Sequence, residues 1–315
     1  MIESPRSEAL LAGPLGEWLG DQADLRTATR EKAQRRFLLA IGAAAMLAFV
    51  IVVKGGPIVT ALQLGFFVGV GGFVWSEWTK RPVIRRIKAG INEAIARSLG
   101  LAYSAAVDDR FHFERALRFG LLPAHDKAEL EDQWTGEVGG RPFRLHEARL
   151  TEQRGSGKTG RTVTLFRGVV MAIGFARSFT GTTLIERDGR HDGLLGLLGR
   201  EREEITVANL RLSRLDTVAP AFDDTFDAWT DDQVEGHYLI NPAYVERLVA
   251  VESAFAARKL RALFREGELL LVFETDKLFE SGSLEPGDDR RLIDQAIAQF
   301  GAMADLAMRL NERAR

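Results

Sequence analysis

Residues 37–53 read FLLAIGAAAMLAFVIVV, seventeen positions without a charge; after Lys54-Gly55-Gly56-Pro57, residues 58–75 read IVTALQLGFFVGVGGFVW, eighteen more. Helices through these runs are about 26 and 27 Å long at 1.5 Å rise per residue, near the roughly 30 Å of a hydrocarbon core. Lys54, Lys80 and Arg81 can snorkel, and Trp75 and Trp78 suit the interface, which makes up the shortfall. The alternative is a helical hairpin buried inside a soluble domain, which explains neither the adjacency of the runs nor their basic flanks. A cleavable signal peptide fits poorly, because the first run starts only at residue 37 and a second follows at once.

Arg30, Lys32, Arg35 and Arg36 precede the first run; Lys80, Arg81, Arg85, Arg86 and Lys88 follow the second; the loop between holds only Lys54. By the positive-inside rule both termini are cytoplasmic, in a protein with two membrane spans. Small residues recur every fourth position: Ala40, Ala44 and Ala48 in the first span, Gly65 and Gly69 in the second. Such faces let helices approach closely. They predict packing of the two spans on each other, with a homo-oligomer seam as the alternative. Neither span holds an ionisable residue, which argues against a conduction pathway.

The whole chain conceals this. Its 315 residues carry 42 basic and 44 acidic side chains, net −2, and are 46% hydrophobic. The mean hydropathy is −0.08. Such averages exclude a disordered chain and a polytopic membrane protein, and no nucleic-acid partner is expected. The absence of cysteine excludes disulfides and thiolate chemistry.

Outside the spans, residues 1–36 form an N-terminal segment, helical from about Gln22. Ile84, Ile87, Ile91, Ile95 and Leu99 give a helical spacing over 83–105, with Arg85, Arg86 and Lys88 on the other face. Residues 76–120 are read as a helical linker leaving the membrane, or alternatively as a membrane-lying helix. Residues 121–315 form the cytoplasmic domain. Residues 143–150, 163–173, 182–185, 210–215, 260–264 and 269–273 have strand composition, and the last two join across Arg265-Glu266-Gly267-Glu268. Asn241-Pro242 opens a helix lined by Tyr244, Leu248, Val251 and Phe255; Asp288 or Asp289 opens the last helix. The fold class is therefore α+β, with a mainly antiparallel sheet and flanking helices behind the hairpin.

Chemistry is scarcer. Gly155-Ser156-Gly157-Lys158-Thr159-Gly160 ends like a phosphate loop, but the opening glycine would fall at Glu152 and strand rather than helix follows. A hairpin turn is the better reading. His112, His125, His146, His191 and His237 lack metal-ligand spacing. Asp188-Gly189-Arg190-His191-Asp192-Gly193 reads as a charged turn. Asp223, Asp224, Asp227, Asp231, Asp232 and Glu235 form an acidic stretch without the glycine and closing glutamate of a calcium loop. Asp231, Asp232, Glu235 and His237 are kept as a candidate interaction or site block, with helix capping as the structural alternative. No catalytic residue, metal ligand or cofactor is assigned.

An ordered series of segments runs through the chain: Phe119-Gly120-Leu121-Leu122-Pro123, Trp134-Thr135-Gly136, Gly139-Gly140-Arg141-Pro142-Phe143, Leu165-Phe166-Arg167-Gly168-Val169 and Phe179-Thr180-Gly181-Thr182-Thr183. FDDTFDAWTDDQVEGHYLINP at 222–242, Leu278-Phe279-Glu280 and Leu310-Asn311 complete it. From about residue 30 onward this series resembles the bacterial domain of unknown function 3137 family. The resemblance implies anchoring in a bacterial inner membrane, no established activity, and a LemA-type membrane protein as partner. The leading expectation is a membrane-anchored cytoplasmic interaction or scaffold protein. A lipid- or small-ligand-binding module and a membrane-bound hydrolase are the alternatives, and the residues lean away from an enzyme.

Overall fold

The computed structural model describes residues 5–155, 160–175, 179–187, 203–215, 226–240, 244, 246–248, 250, 255 and 257–311. The chain divides into two compact units. One comprises Pro5–Ile95 and Glu280–Ile297; the other comprises Met1–Ser4, Ala96–Phe279 and Ala298–Arg315.

The first unit is helical. Short helices α1 (Ser7–Leu11) and α2 (Pro14–Asp21) precede α3 (Ala23–Val53) and α4 (Ile58–Ser98). With 31 and 41 residues, α3 and α4 are about 46 and 62 Å long and outlast the apolar runs at their charged ends. Both are long and apolar enough to cross a membrane. Their charged halves pack with the segment Glu280–Ile297, where Ile87, Ile91 and Ile95 are fully buried, as their spacing predicts. Lys88 departs from the predicted basic outer face. It is only 7% exposed, and its Nζ donates to Glu280 at 2.7 Å, because Glu280–Ile297 covers that side of the helix. Arg26 is fully buried, and its Nη1 donates to both carboxylate oxygens of Asp289 at 3.0 and 2.8 Å.

Among the described residues the second unit is built on one ten-stranded sheet, in the order β1-β2-β3-β4-β10-β9-β5-β8-β7-β6, whose paired strands are antiparallel. The strands are β1 (Ala102–Ala106), β2 (Lys127–Val138), β3 (Arg141–Arg154), β4 (Arg161–Gly174) and β5 (Thr183–Arg187). They continue with β6 (Glu204–Val207), β7 (Leu210–Arg214), β8 (Phe226–Thr230), β9 (Arg258–Arg265) and β10 (Glu268–Glu274). Helix α5 (Phe111–Arg118) lies between β1 and β2, α6 (Gln233–Leu239) follows β8, and α7 (Asp289–Asn311), the last of the described helices, contributes its part from Ala298 onward. Two-residue turns join β2 to β3, β6 to β7 and β9 to β10, at Gly139-Gly140, Ala208-Asn209 and Glu266-Gly267, with positive φ throughout. That geometry matches the strand twist; it suits glycine and asparagine, and it strains Ala208 and Glu266.

β4 from Gly168 to Ile173 and β10 from Leu269 to Phe273 are buried at every consecutive position, as expected of strand segments covered on both faces. On one face Leu270 and Val272 join Phe166, Val170 and Leu263 against Phe113, Ala116 and Phe119 in and just after α5. By the two-residue alternation, Leu269, Leu271 and Phe273 point the other way. Trp134 stacks on Phe300 of α7, centroids 4.9 Å apart, while Tyr244 and Phe255 lie 5.2 and 5.8 Å from Phe264 and Phe273.

The predicted strand runs coincide with β3, β4, β5, β7, β9 and β10, overrunning β5 by Thr182 and β7 by Leu215, and α7 opens at Asp289. The helix expected over 83–105 stops at Ser98. Gly100 adopts φ 71 and the Leu101 N–H returns to the Ala96 carbonyl at 2.9 Å, so residues 102–106 extend as β1. Tyr244 and Leu248 are helical and buried; Asn241, Pro242 and Val251 lie outside the described residues.

Candidate functional site

Between the apolar helices the small residues allow close approach. A Cβ placed on Gly72 would stand 1.9 Å from that of Ala40; one on Gly65 would stand 3.4 Å from the Ala44 carbonyl and 3.8 Å from the Ala48 Cβ. A Cβ on Gly69 meets nothing within 4 Å, so Gly72 rather than Gly69 lies in the seam opposite Ala40. At the charged end the Ser76 hydroxyl donates to the Ala33 carbonyl at 2.9 Å, and Arg36 lies over the Trp75 ring at 4.5 Å. None of the most apolar 18-residue window of the first helix is buried by the protein, and 11% of that of the second. Leu39, Met46, Phe49, Phe66 and Phe67 are each more than two-thirds exposed.

The acidic block binds backbone. Asp232 caps α6, accepting from the Glu235 N–H at 3.0 Å. Glu235 accepts from the N–H groups of Thr180 and Gly181 at 3.2 and 2.6 Å, and Asp231 accepts from that of Thr182 at 2.6 Å. These three carboxylates therefore fix the entry to β5. His237 shares an exposed helix face, its Nδ1 2.6 Å from the Gln233 carbonyl. Asp227, read as part of an acidic run, sits inside β8, 2% exposed and 2.7 Å from Arg214 of β7. Asp223, Asp224, His191, the segment 188–193 and residues 156–159 lie outside the described residues. The loop 155–160 joins antiparallel strands paired out to Arg154 and Arg161, so strand, not helix, follows it.

Sequence reasoning missed three groupings. Glu131, Asp132 and Glu147 offer carboxylate oxygens within 4.8 Å of one another. Glu131 and Glu147 are cross-strand partners on β2 and β3, and Asp132 (φ 59) sits in the bulge beside them. These residues could hold a hard divalent cation. Lys277 already reaches Glu131 at 3.0 Å, the Tyr103 hydroxyl donates to Asp132 at 2.5 Å, and the Leu278 N–H donates to Glu147 at 3.1 Å.

The second is His146 on β3. It is 1% exposed, neither ring nitrogen has a hydrogen-bond partner among the described residues, and the Phe113 ring stands edge-on at 6.4 Å. Burial, reinforced by the cations of His112, Arg144 and Arg110, lowers its pKa to about 4.

The third is a cleft of about 280 Å³ where α5, the β9–β10 turn and the tip of the β6–β7 hairpin meet. Phe119, with Ala208 and Leu210, supplies an apolar floor, and the half-exposed Phe111 stands at the rim. Arg115, Arg118 and Arg265 line its sides. Arg115 donates to Glu266 at 2.7 Å and to Glu268 at 2.8 Å, and lies over the Phe111 ring at 4.5 Å. Arg265 donates to Glu266 at 3.1 Å and to the Thr182 hydroxyl at 2.7 Å, and lies over the Phe119 ring at 5.4 Å. Glu266 thus bridges two guanidinium groups, while the exposed Arg118 has no carboxylate partner among the described residues. The His112 hydrogen bond, together with Arg115, holds the Glu268 carboxyl below the usual range.

The family model described as protein of unknown function (DUF3137) matches residues 164–312. The match begins within β4 rather than near residue 30, leaving out the helical hairpin, α5 and β1 to β3. No curated protein matches. Among solved structures, the crystal structure of the mycobacterial trehalose monomycolate transport factor A, TtfA, aligns over 73% of this chain and 99% of its own at 11% identity. Its TM-score is 0.34, too low to carry an argument about fold or function. Residues 164–312, from β4 to the end of α7, are thus similar to the DUF3137 family of proteins of unknown function.

Proposed function

We propose that the chain is a membrane-anchored scaffold. Its two apolar helices cross a bacterial inner membrane with both termini in the cytoplasm, and its sheet unit offers a cytoplasmic surface to partner proteins. The observation that carries this reading is the exposure of the apolar windows, 0% and 11% buried. The core helix of a soluble protein is mostly buried, and so large an apolar surface requires lipid or another protein around it. Basic residues at the outer ends of both runs, against the single Lys54 between them, support the orientation. The acidic block supports a structural rather than a catalytic use of carboxylates, since Asp231, Asp232 and Glu235 all accept from backbone N–H groups. A LemA-type membrane protein is the partner that the family resemblance suggests.

Crosslinking in native membranes, followed by detergent extraction and purification, tests the scaffold. A stoichiometric membrane partner is expected, and recovery of the chain alone would refute it. A reporter fused after Arg315 tests the orientation: activity confined to a cytoplasmic reporter is expected, and activity of an export-dependent one would overturn it.

A further inference from the structure

We propose that the cleft between α5 and the β9–β10 turn binds a compact phosphomonoester, with Glu266 holding its place when it is absent. Three guanidinium groups line a space of about 280 Å³, against the two carboxylates of Glu114 and Glu266, so the lining stays net positive and becomes more so when Glu266 swings away. That is at the small end of ligand sites, enough for a phosphoryl group and about one ring of apolar surface. Arginine suits this task because its planar fork meets oxyanions with two parallel hydrogen bonds. Arg115 and Arg265 are already preorganised, each stacked on a phenylalanine and held by a carboxylate or hydroxyl. Arg118 stands exposed beside them without a carboxylate partner among the described residues, so an incoming dianion gains its full charge-assisted bond.

Glu266 is the telling residue. It occupies a turn position at φ 55, where a non-glycine residue is strained, and its side chain is 57% exposed. Even so its carboxylate bridges Arg115 and Arg265 at 2.7 and 3.1 Å. An exposed carboxylate spanning two arginines is readily displaced, since it returns to water when it leaves. Phe111 at the rim and Phe119 in the floor provide the apolar surface that favours an aryl or alkyl ester over inorganic phosphate.

The site can be tested by calorimetric titration of the full chain, in nanodiscs of phosphatidylcholine, with phenyl phosphate, inorganic phosphate and phenol. Phenyl phosphate is expected to bind more tightly than either control. Arg118→Gln should weaken it about tenfold, and Glu266→Gln should tighten it about threefold by removing the internal competitor. Both positions are exposed, so folding is not at stake, and the two effects have opposite sign. Absence of saturable binding to the wild type and Glu266→Gln up to about 10 mM would overturn the proposal. So would an affinity unchanged by Arg118→Gln, or one weakened by Glu266→Gln. Adding phosphatidic acid to the nanodiscs separates the sources. Competition with phenyl phosphate identifies a lipid headgroup, and unchanged binding identifies a soluble ester. The outcome is independent of the scaffold reading, which the crosslinking experiment decides.

Discussion

Replacing His146 by leucine removes a buried imidazole that no hydrogen bond from the described residues secures. The native ring pays for burial chiefly in its charged form. His112, Arg144 and Arg110 oppose protonation, only Asp109 favours it, and the pKa falls from 6.5 to about 4. In the unfolded chain the group takes up a proton near 6.5; in the fold it does so only near 4. Between those values the unfolded state binds more protons, so stability falls as the pH is lowered. The gap corresponds to about 3 kcal/mol in total, of which about 2 kcal/mol is lost between pH 7 and pH 5. Asp109, Glu129 and Glu268 also have lowered values, chiefly through hydrogen bonds from the Phe111 N–H, Lys127 and His112. Their contributions are lost only as the pH falls below their unfolded values of 3.8 and 4.5, so at pH 5 they have scarcely begun to act. Melting curves at the two pH values, read from the fluorescence of the buried Trp134 and Trp229, isolate the effect. The leucine variant should match or exceed the wild type at pH 7, having lost no hydrogen bond. It should lose about 2 kcal/mol less on acidification, a difference of roughly 4–8 °C in Tm. If both proteins lose the same stability between pH 7 and pH 5, the assignment of acid sensitivity to His146 is wrong.

Gly72→Ala should lower the melting temperature of the helical unit in detergent, at a cost of about 1–3 kcal/mol, because its Cβ would land 1.9 Å from that of Ala40. Gly69→Ala, with open space around it, should stay within about 0.5 kcal/mol of wild type in the same assay. Asp289→Ala strands the fully buried Arg26 and should cost about 3–5 kcal/mol in chemical denaturation, whereas Arg26→Met with Asp289→Leu should come close to wild type. The Asp289 carboxyl itself signals this: burial pushes its pKa up more strongly than Arg26 pulls it down. Asp231→Ala removes the acceptor of the Thr182 N–H and should cost about 1–3 kcal/mol in urea titrations of the sheet unit.

What was legible in the sequence depended on local patterns. The charge-free runs, the isoleucine spacing of α4 and the unbroken apolar runs of β4 and β10 each declare themselves within one element, whereas the short helices α1 and α2 precede the helical start read at about Gln22. β8 did not. FDAWT is buried at every position, and Asp227 is tolerated there because Arg214 of the neighbouring strand neutralises it. Lys88 was misplaced for the same reason, since its partner Glu280 lies 192 residues away. The phosphomonoester cleft draws on residues 111–119, 208–210 and 265–266, and no spacing rule links those segments. The carboxylate trio was closer to being readable. Counting outward from the Gly139-Gly140 turn pairs Asp132 with Glu147, and the bulge before Trp134 moves the pairing to Glu131. That single inserted residue brings a third carboxylate to the same place.

The acidic block shows why residue type alone misleads about chemistry here. Segments 179–183 and 231–235, two of those that carry the family resemblance, meet each other in the fold. Asp231 and Glu235 accept the N–H groups of Thr180, Gly181 and Thr182, and Asp231 returns its own N–H to the Thr182 carbonyl at 3.2 Å. β5 enters the sheet between β8 and β9, so its first residues must leave a loop and align with two strands at once. Backbone N–H groups at such an entry have no ladder partner, and leaving them unpaired costs about 1–3 kcal/mol each. Carboxylates meet that demand better than neutral acceptors, because hydrogen bonds to a charged group are shorter and stronger. A carboxylate used this way has its lone pairs directed at fixed donors, which leaves it poorly placed to take a proton from a substrate. The guanidinium groups of the cleft are in the opposite condition: their bridging anion is exposed and replaceable, and it is there that a ligand can compete.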